Sequence, residues 1–186
     1  MKQLNGKSML IKPLKLAILP LLFMPAFSTM AQTCKTTITP TTDHFLDNNN
    51  GTVSDPKTGL IWKKCSEGQS YNSGTNSCDN AASTYNWAAA LQQTQDVNAA
   101  TSGENLGQTD WRVPNINELA SIAELSCFSP AINLSIFPST PSNGYWSSSP
   151  RASYVYGAWI VNFDDGYDGT LYKNYYPHVR LVRSGQ

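Results

Sequence analysis

The order of local patterns along the chain predicts an α+β fold with an antiparallel sheet. Three observations carry this. Short extended segments broken by tight-turn signals occupy residues 45–64. Two helix-forming segments follow, at 83–99 and from Asn115 or Asn117 through Leu125. Extended runs then close the chain at 144–149, 158–163 and 178–183. Strands and helices that segregate in this way argue against a doubly wound parallel sheet. Two helices packed on a twisted, disulfide-bonded antiparallel sheet is the architecture to expect.

Taken in order, the chain opens with four lysines (Lys2, Lys7, Lys12 and Lys15) and no acidic residue in its first 31 positions. An apolar run, Leu14–Leu22, is broken by Lys15 and Pro20 and continues through Phe27 to the small residues Thr29 and Ala31. A basic lead, a short apolar stretch and small residues before a cleavage point mark a secretory signal peptide over residues 1–31. The run is too short and interrupted to span a bilayer. Gln32 and Thr33 precede Cys34 where a lipoprotein signal needs small residues, so no lipid anchor is expected. Residues 32–44 then form a polar N-terminal lead to a domain over 45–186.

Within that domain, Asn50-Gly51 is a strong tight-turn pair, and Asp55-Pro56-Lys57-Thr58-Gly59 makes a second turn before Leu60-Ile61-Trp62-Lys63. Residues 65–80 are polar and bounded by Cys65 and Cys78, which suggests a closed loop. Ser83 or Thr84 can cap the first helix, where Trp87 and Leu91 stand four apart on one face. Pro114 forces Val113 out of helix, so Asp110–Pro114 is extended, with Arg112 beside Asp110 as a candidate charge pair. Leu119, Ile122 and Ala123 form the apolar stripe of the second helix, and Glu118 suits its first turn. A Pro/Ser/Asn-rich connection, 127–143, leads to the closing strands, where Trp159, Val161 and Phe163 alternate with Ile160 and Asn162. The five tryptophans read as core.

Composition narrows the functional classes. Only 14% of residues are charged and 11% are aromatic, so the chain has core material and is not a disordered segment. The 155 residues after Ala31 carry 9 basic and 13 acidic side chains, a net −4. Such a surface does not favour nucleic acid. Four cysteines in an exported chain read as two disulfides. Pairing Cys65 with Cys78 closes a short loop and leaves Cys34 with Cys127; two other connectivities stay open. Zinc needs closely spaced Cys or His pairs, which the sequence lacks.

The patterns of catalysis are absent. Neither His44 nor His178 sits in H-E-x-x-H or H-x-E, and the sequence holds no G-x-S-x-G, G-x-G-x-x-G or P-loop. Asp47–Gly51 puts glycine at position five, one short of the EF-hand spacing, so a turn is the better reading. Asp164-Asp165-Gly166-Tyr167-Asp168 reads as an exposed acidic turn. No catalytic residue, metal or cofactor is expected.

One segment differs. Six of the nine tyrosines fall between Arg151 and His178, interleaved with Asp, Gly, Ser, Asn and Thr. Tyrosine offers large amphipathic contact area at low entropic cost, and small polar residues add adaptable hydrogen bonds; this is the composition of a binding surface. An aromatic hairpin packed on the sheet would have the same composition, and composition alone does not choose between them. The candidate ligand-binding residues are Ser153, Tyr154, Tyr156, Asp164, Asp165, Tyr167, Asp168, Tyr172, Asn174, Tyr175, Tyr176 and His178. The tyrosines are expected to carry affinity and Asp164, Asp165 and Asp168 selectivity.

Several motifs stand in a fixed order: Gly51-Thr52-Val53-Ser54-Asp55, Thr58-Gly59-Leu60-Ile61-Trp62, Asp110-Trp111-Arg112-Val113-Pro114 with Glu118-Leu119, Phe137-Pro138, Tyr145-Trp146-Ser147-Ser148, and Val179-Arg180-Leu181-Val182-Arg183. Together they resemble the Lcl-type C-terminal domain family over residues 43–186. The resemblance implies a C-type-lectin-like fold. It also implies an exported or surface role, as for most members of the family, and the adhesin that names the family binds sulfated glycans. This chain has no collagen-like repeat and a negative mature charge, so sulfated-glycan binding is not carried over. The tail from Trp146 to Gln186 is also similar to the variable ends of proteins diversified by diversity-generating retroelements. There, residues of the Tyr, Asp, Ser, Asn, Gly, Thr and His types, including Gly169 and Thr170 here, vary on a fixed scaffold.

These readings converge on an exported, non-catalytic module that is periplasmic, cell-surface or secreted. It would bind protein or glycan outside the cell or in the envelope, without membrane insertion, and could form a homo-oligomer. A structural subunit of the envelope is the alternative. A formylglycine-generating-enzyme-like catalyst is a weaker one, because it needs reactive cysteines.

Overall fold

The computed structural model describes residues 1, 31–35, 42–100 and 104–185. The expected signal peptide and part of the N-terminal lead fall outside the described residues. Strands β1 (Thr33–Cys34), β2 (Leu46–Asp47), β3 (Thr52–Asp55), β4 (Leu60–Lys63), β5 (Ser70–Asn72) and β6 (Ser77–Asp79) precede helices α1 (Trp87–Ala99) and α2 (Ile116–Ala120). Strands β7 (Cys127–Phe128), β8 (Gly144–Pro150), β9 (Gly157–Asn162), β10 (Tyr167–Tyr172) and β11 (Val182–Ser184) follow. Among the described residues the fold is mixed, mostly sheet with two helices, and every strand pair is antiparallel. The strands form two larger sheets, β11-β4-β3-β2 and β10-β9-β8, plus the pairs β1-β7 and β5-β6. Two disulfides, Cys34–Cys127 and Cys65–Cys78, tie the chain, and no cysteine is free.

The β8–β9–β10 sheet is covered on both faces near its centre. Register places Tyr145 beside Val161, and Trp146 beside Ile160. Tyr145 and Val161 join Trp62, Leu119, Phe137 and Phe163 in one core, while Trp146 and Ile160 join Val97, Trp111, Val179 and Leu181 in another. This explains why Ala158–Val161 reads as a continuous apolar run: a strand buried on both faces has no polar side to alternate with. Trp159 and Trp87 are half-buried, so the all-core expectation holds for Trp62, Trp111 and Trp146 alone.

Several expectations change where long-range pairing overrides local preference. The first helix starts at Trp87 with Asn86 as its cap, accepting from Ala89 N at 2.9 Å, and not at Ser83 or Thr84. The backbone N–H groups of Ser83 and Tyr85 are already given to Glu67 O and Pro177 O, which keeps 83–85 extended. The second helix begins as expected at Asn115, with a reciprocal Asn115/Glu118 capping box, but ends at Ala120 instead of reaching Leu125. Ala123 leaves it to bridge Ile132, and Glu124 N donates to Ala131 O. The Cys65–Cys78 loop contains the β5–β6 hairpin. In the 178–183 run only Val182 and Arg183 belong to a strand; His178 makes a lone bridge to Tyr145.

Arg112 does not pair with Asp110. It forks onto the Glu118 carboxylate through two 2.7 Å hydrogen bonds, and Asp110 instead accepts from Arg183 Nε at 2.6 Å. The segment pairs with β11 through the Arg112–Val182 bridge, which brings Arg183 within reach of Asp110. The serines after Trp146 hold this region: Ser148 N donates to Pro114 O, and Ser149 Oγ accepts from Ile116 N. The β8–β9 register shifts between Trp146 and Pro150, and the serines turned out of the ladder fasten the start of α2.

Candidate binding site

The β9–β10 hairpin positions most of the tyrosines. Its register sets Gly157 opposite Tyr172, so the entry to β9 and the exit from β10 lie side by side. The flanking segments are fastened there by backbone bonds. Gly157 N donates to Tyr154 O, Lys173 N to Tyr156 O, and Tyr175 N to Tyr172 O. A side chain at Gly157 would put its Cβ 3.2 Å from the Tyr154 ring. The glycine therefore lets that ring lie against the strand.

Four rings meet in sequence at this end. Tyr156 and Tyr154 contact edge to face with centroids 5.7 Å apart, and Tyr154 and Tyr172 do the same at 5.8 Å. Tyr172 and Tyr175 stack at 6.1 Å. These spacings lie in the favourable range for aromatic pairs. All four rings are exposed, at 67%, 37%, 53% and 53% in the order Tyr156, Tyr154, Tyr172, Tyr175. Tyr176 and Val155 are exposed nearby in sequence. A hydrogen bond with the Tyr172 hydroxyl is the main influence raising the Tyr154 pKa above its ordinary value.

Two cations flank the rings. Arg151 lies 5.8 Å from the Tyr154 ring centre and donates to Thr170 Oγ1 at 3.4 Å. The Lys173 ammonium sits 4.3 Å above Trp87, whose Nε1 donates to Ser147 O. Neither cation was among the residues expected from sequence. Their signal was position alone, since both lie inside the tyrosine-rich segment.

The acidic residues are elsewhere. Asp164 and Asp165 occupy the turn at the opposite end of the hairpin, roughly 20 Å from Tyr172 at about 3.3 Å per residue. Asp164 accepts from Ser129 Oγ at 2.8 Å and Ser142 Oγ at 2.7 Å, and these bonds hold its carboxyl below the usual range. The expected single face therefore separates into two ends. Ser153 and Asn174 are exposed in the loops at the ring end; Tyr167 and Asp168 are exposed on β10 nearer the turn. His178 belongs to neither. It is 7% exposed, its Nδ1 is 2.9 Å from Ser83 O, and its ring lies 5.3 Å from buried Tyr145. Burial lowers its pKa. The run that follows it packs inward, which draws His178 in with Val179 and Arg180.

Two cavities accompany these elements. One of about 280 Å³ runs past Tyr175, Tyr176, Leu171 and Ile160 beside the ring end. A larger one, of about 480 Å³, lies between the β5–β6 hairpin and α1, with walls drawn from four separate segments that no local pattern connects. Among the described residues, no group of His, Cys, Asp and Glu is arranged to hold a metal ion.

The family model of the Lcl C-terminal domain matches residues 51–183. The chain belongs to the Lcl C-terminal domain family. None of the curated proteins matches it. The matched span of this Lcl C-terminal domain runs from the Gly51 turn into β11, so it takes in the whole hairpin and both cores except Phe45. The two disulfides fit an exported protein. No described helix is long and apolar enough to cross a membrane.

Proposed function

We propose that this Lcl C-terminal domain is an exported, non-catalytic binding module of the adhesin or receptor type, on a C-type-lectin-like scaffold. The ring end of the β9–β10 hairpin is its contact surface, and its ligand is a protein or glycan. The observation that carries this reading is the run Tyr156–Tyr154–Tyr172–Tyr175: four phenol rings in mutual contact, all facing water. Burying such rings in a core would stabilise the fold, so contiguous exposure of this kind points to a partner. Arg151 and Lys173 give the surface a cationic rim, suited to hydroxyl-rich or acidic groups on that partner.

Most of the outward positions of the tail carry the residue types that retroelement diversification produces, while Val161, Phe163 and Val179 beneath them are buried. That division suits a surface able to vary without loss of the scaffold. All four cysteines are engaged in disulfides, which leaves no thiol for formylglycine-type chemistry.

Capture of the secreted chain on a combined protein and glycan array tests the reading. Tyr172→Ala with Tyr175→Ala is expected to remove capture while the melting temperature moves by less than about 2 °C, as for surface substitutions. Capture that survives the double substitution, or a collapse in stability, contradicts it.

A further inference from the structure

The two outer strands of the β10-β9-β8 sheet are finished differently. On the β8 side other segments take up the backbone: Trp146 N donates to His178 O, and Ser148 N to Pro114 O. Among the described residues, no strand or isolated bridge pairs with the far side of β10. Its ladder with β9 runs unbroken from Tyr167 to Tyr172, with no bulge and no proline. Natural edge strands are commonly shortened, bulged or interrupted by proline, which prevents further pairing. Strand β10 uses none of these devices.

The register decides which backbone groups face outward. Lys173 N donates to Tyr156 O, and bonded pairs alternate along an antiparallel ladder. Leu171 and Gly169 therefore direct their N–H and C=O groups to β9, and those of Asp168 and Thr170 point away from it. The side chains along this edge complement a reversed copy of themselves. Arg151 donates to Thr170 Oγ1 at 3.4 Å, which holds a guanidinium over the middle of the edge. Asp168 is exposed two residues before Thr170, on the same face of the sheet. On the other face, a Cβ at Gly169 would meet open space among the described residues, and this notch lies two positions from the half-buried Leu171.

We infer that a second copy of this chain pairs antiparallel along β10, about a two-fold axis at Thr170, and joins the two three-stranded sheets into one. In this register the two Thr170 residues exchange both backbone hydrogen bonds. Leu171 of each copy lies opposite the Gly169 notch of the other. Arg151 comes diagonally across from Asp168 of the second copy, a separation that long side chains span. Threonine pairs and opposite charges both stabilise neighbouring strands. Centring the pair on Asp168 instead would set two carboxylates directly opposite, which is unfavourable. A two-fold contact uses the same surface on both chains and closes on itself, so the assembly stops at a dimer. The inference stands whether or not the ring end takes a ligand.

Sedimentation equilibrium of the secreted, disulfide-bonded chain tests this. The chain is expected to form a dimer with a Kd below about 100 µM. Asp168→Arg, at an exposed position, sets like charges across the axis and is expected to weaken the dimer at least about tenfold. Adding Arg151→Asp to that variant restores opposite signs and is expected to recover the affinity to within about threefold. Thr170→Pro removes the outward N–H at the axis and leaves the bonds to β9 in place, so a folded monomer is expected. A chain that is monomeric at about 200 µM, or that forms a trimer or larger assembly, overturns the inference. So does an Asp168→Arg variant with unchanged affinity, a charge exchange that fails to recover it, or a folded Thr170→Pro variant that still dimerises. If Thr170→Pro does not fold, the Asp168 and Arg151 variants alone decide.

Discussion

The two ends of the β9–β10 hairpin are built from similar residues and behave differently. At the turn, Asp164 is fastened to the 129–142 connection by two serine hydroxyls, and Ser129 N donates to its backbone carbonyl. At the open end, the tyrosine side chains touch chiefly one another, Arg151 and water. One end spends its polar groups on the scaffold; the other leaves its side chains available. Residue type does not separate the two. What separates them is whether a neighbouring segment passes close enough to claim the side chain. Selectivity at the ring end would then come from Arg151 and Lys173, and not from the aspartates that the sequence suggested.

The contrast can be broken most forcefully from beneath. Trp146 is fully buried in the sheet that supports both ends and donates from Nε1 to Tyr85 O. Trp146→Ala should cost about 3–5 kcal/mol in denaturant unfolding. Tyr156→Ala, at the same end of the hairpin, should leave the midpoint almost unmoved. Similar losses in the two variants would erase the distinction between scaffold and surface.

A smaller effect is expected at His178, which sits under the tail of the ring end. Burial lowers its pKa from the ordinary 6.5, so the folded state keeps the imidazole neutral where the unfolded chain takes up a proton. The stability this represents is intact above that pH and is lost as pH falls through the lowered folded-state value. His178→Asn should flatten the slope of stability against pH in this window, whatever it does to stability at neutral pH. An unchanged slope would mean that the imidazole is accessible, and so part of the surface.

The smallest effect sharpens the comparison at the turn. Ser129→Ala with Ser142→Ala removes both hydroxyl donors to Asp164. Its carboxyl pKa, followed by NMR titration, should rise back towards the ordinary aspartate range. The ring end should be undisturbed, and array capture should persist. A loss of capture would show that the two ends act as one face after all.

Much of the scaffold was legible because it rests on local chemistry. Asn50-Gly51 announces its turn, and the Asn115/Glu118 pattern announces a helix start; Gly51 has the positive φ such turns need. Cys65 and Cys78 pair across the short loop they bound. What stayed hidden depends on partners distant in sequence. Ser83 and Tyr85 look like the first turn of a helix until Glu67 and Pro177 take their N–H groups. Arg112 has acids at two plausible spacings, and Asp110 is claimed by Arg183 from the neighbouring strand β11. Strand β10 lacks apolar alternation because it is a sheet edge, held by β9 and open to water along Tyr167 and Asp168. The tyrosine-rich segment was legible as a composition. Its division into a ring end and a fastened turn was not, because that follows from the hairpin register.

Hydroxyl-radical footprinting of the tyrosines, read by mass spectrometry with and without an array-identified ligand, tests the central claim most directly. The free protein should be modified at Tyr154, Tyr156, Tyr172 and Tyr175 and spared at Tyr145. Ligand should protect those four rings and leave Tyr167 reactive. Rings already protected in the free protein, or equally reactive with ligand bound, would contradict a recognition role for this end of the hairpin.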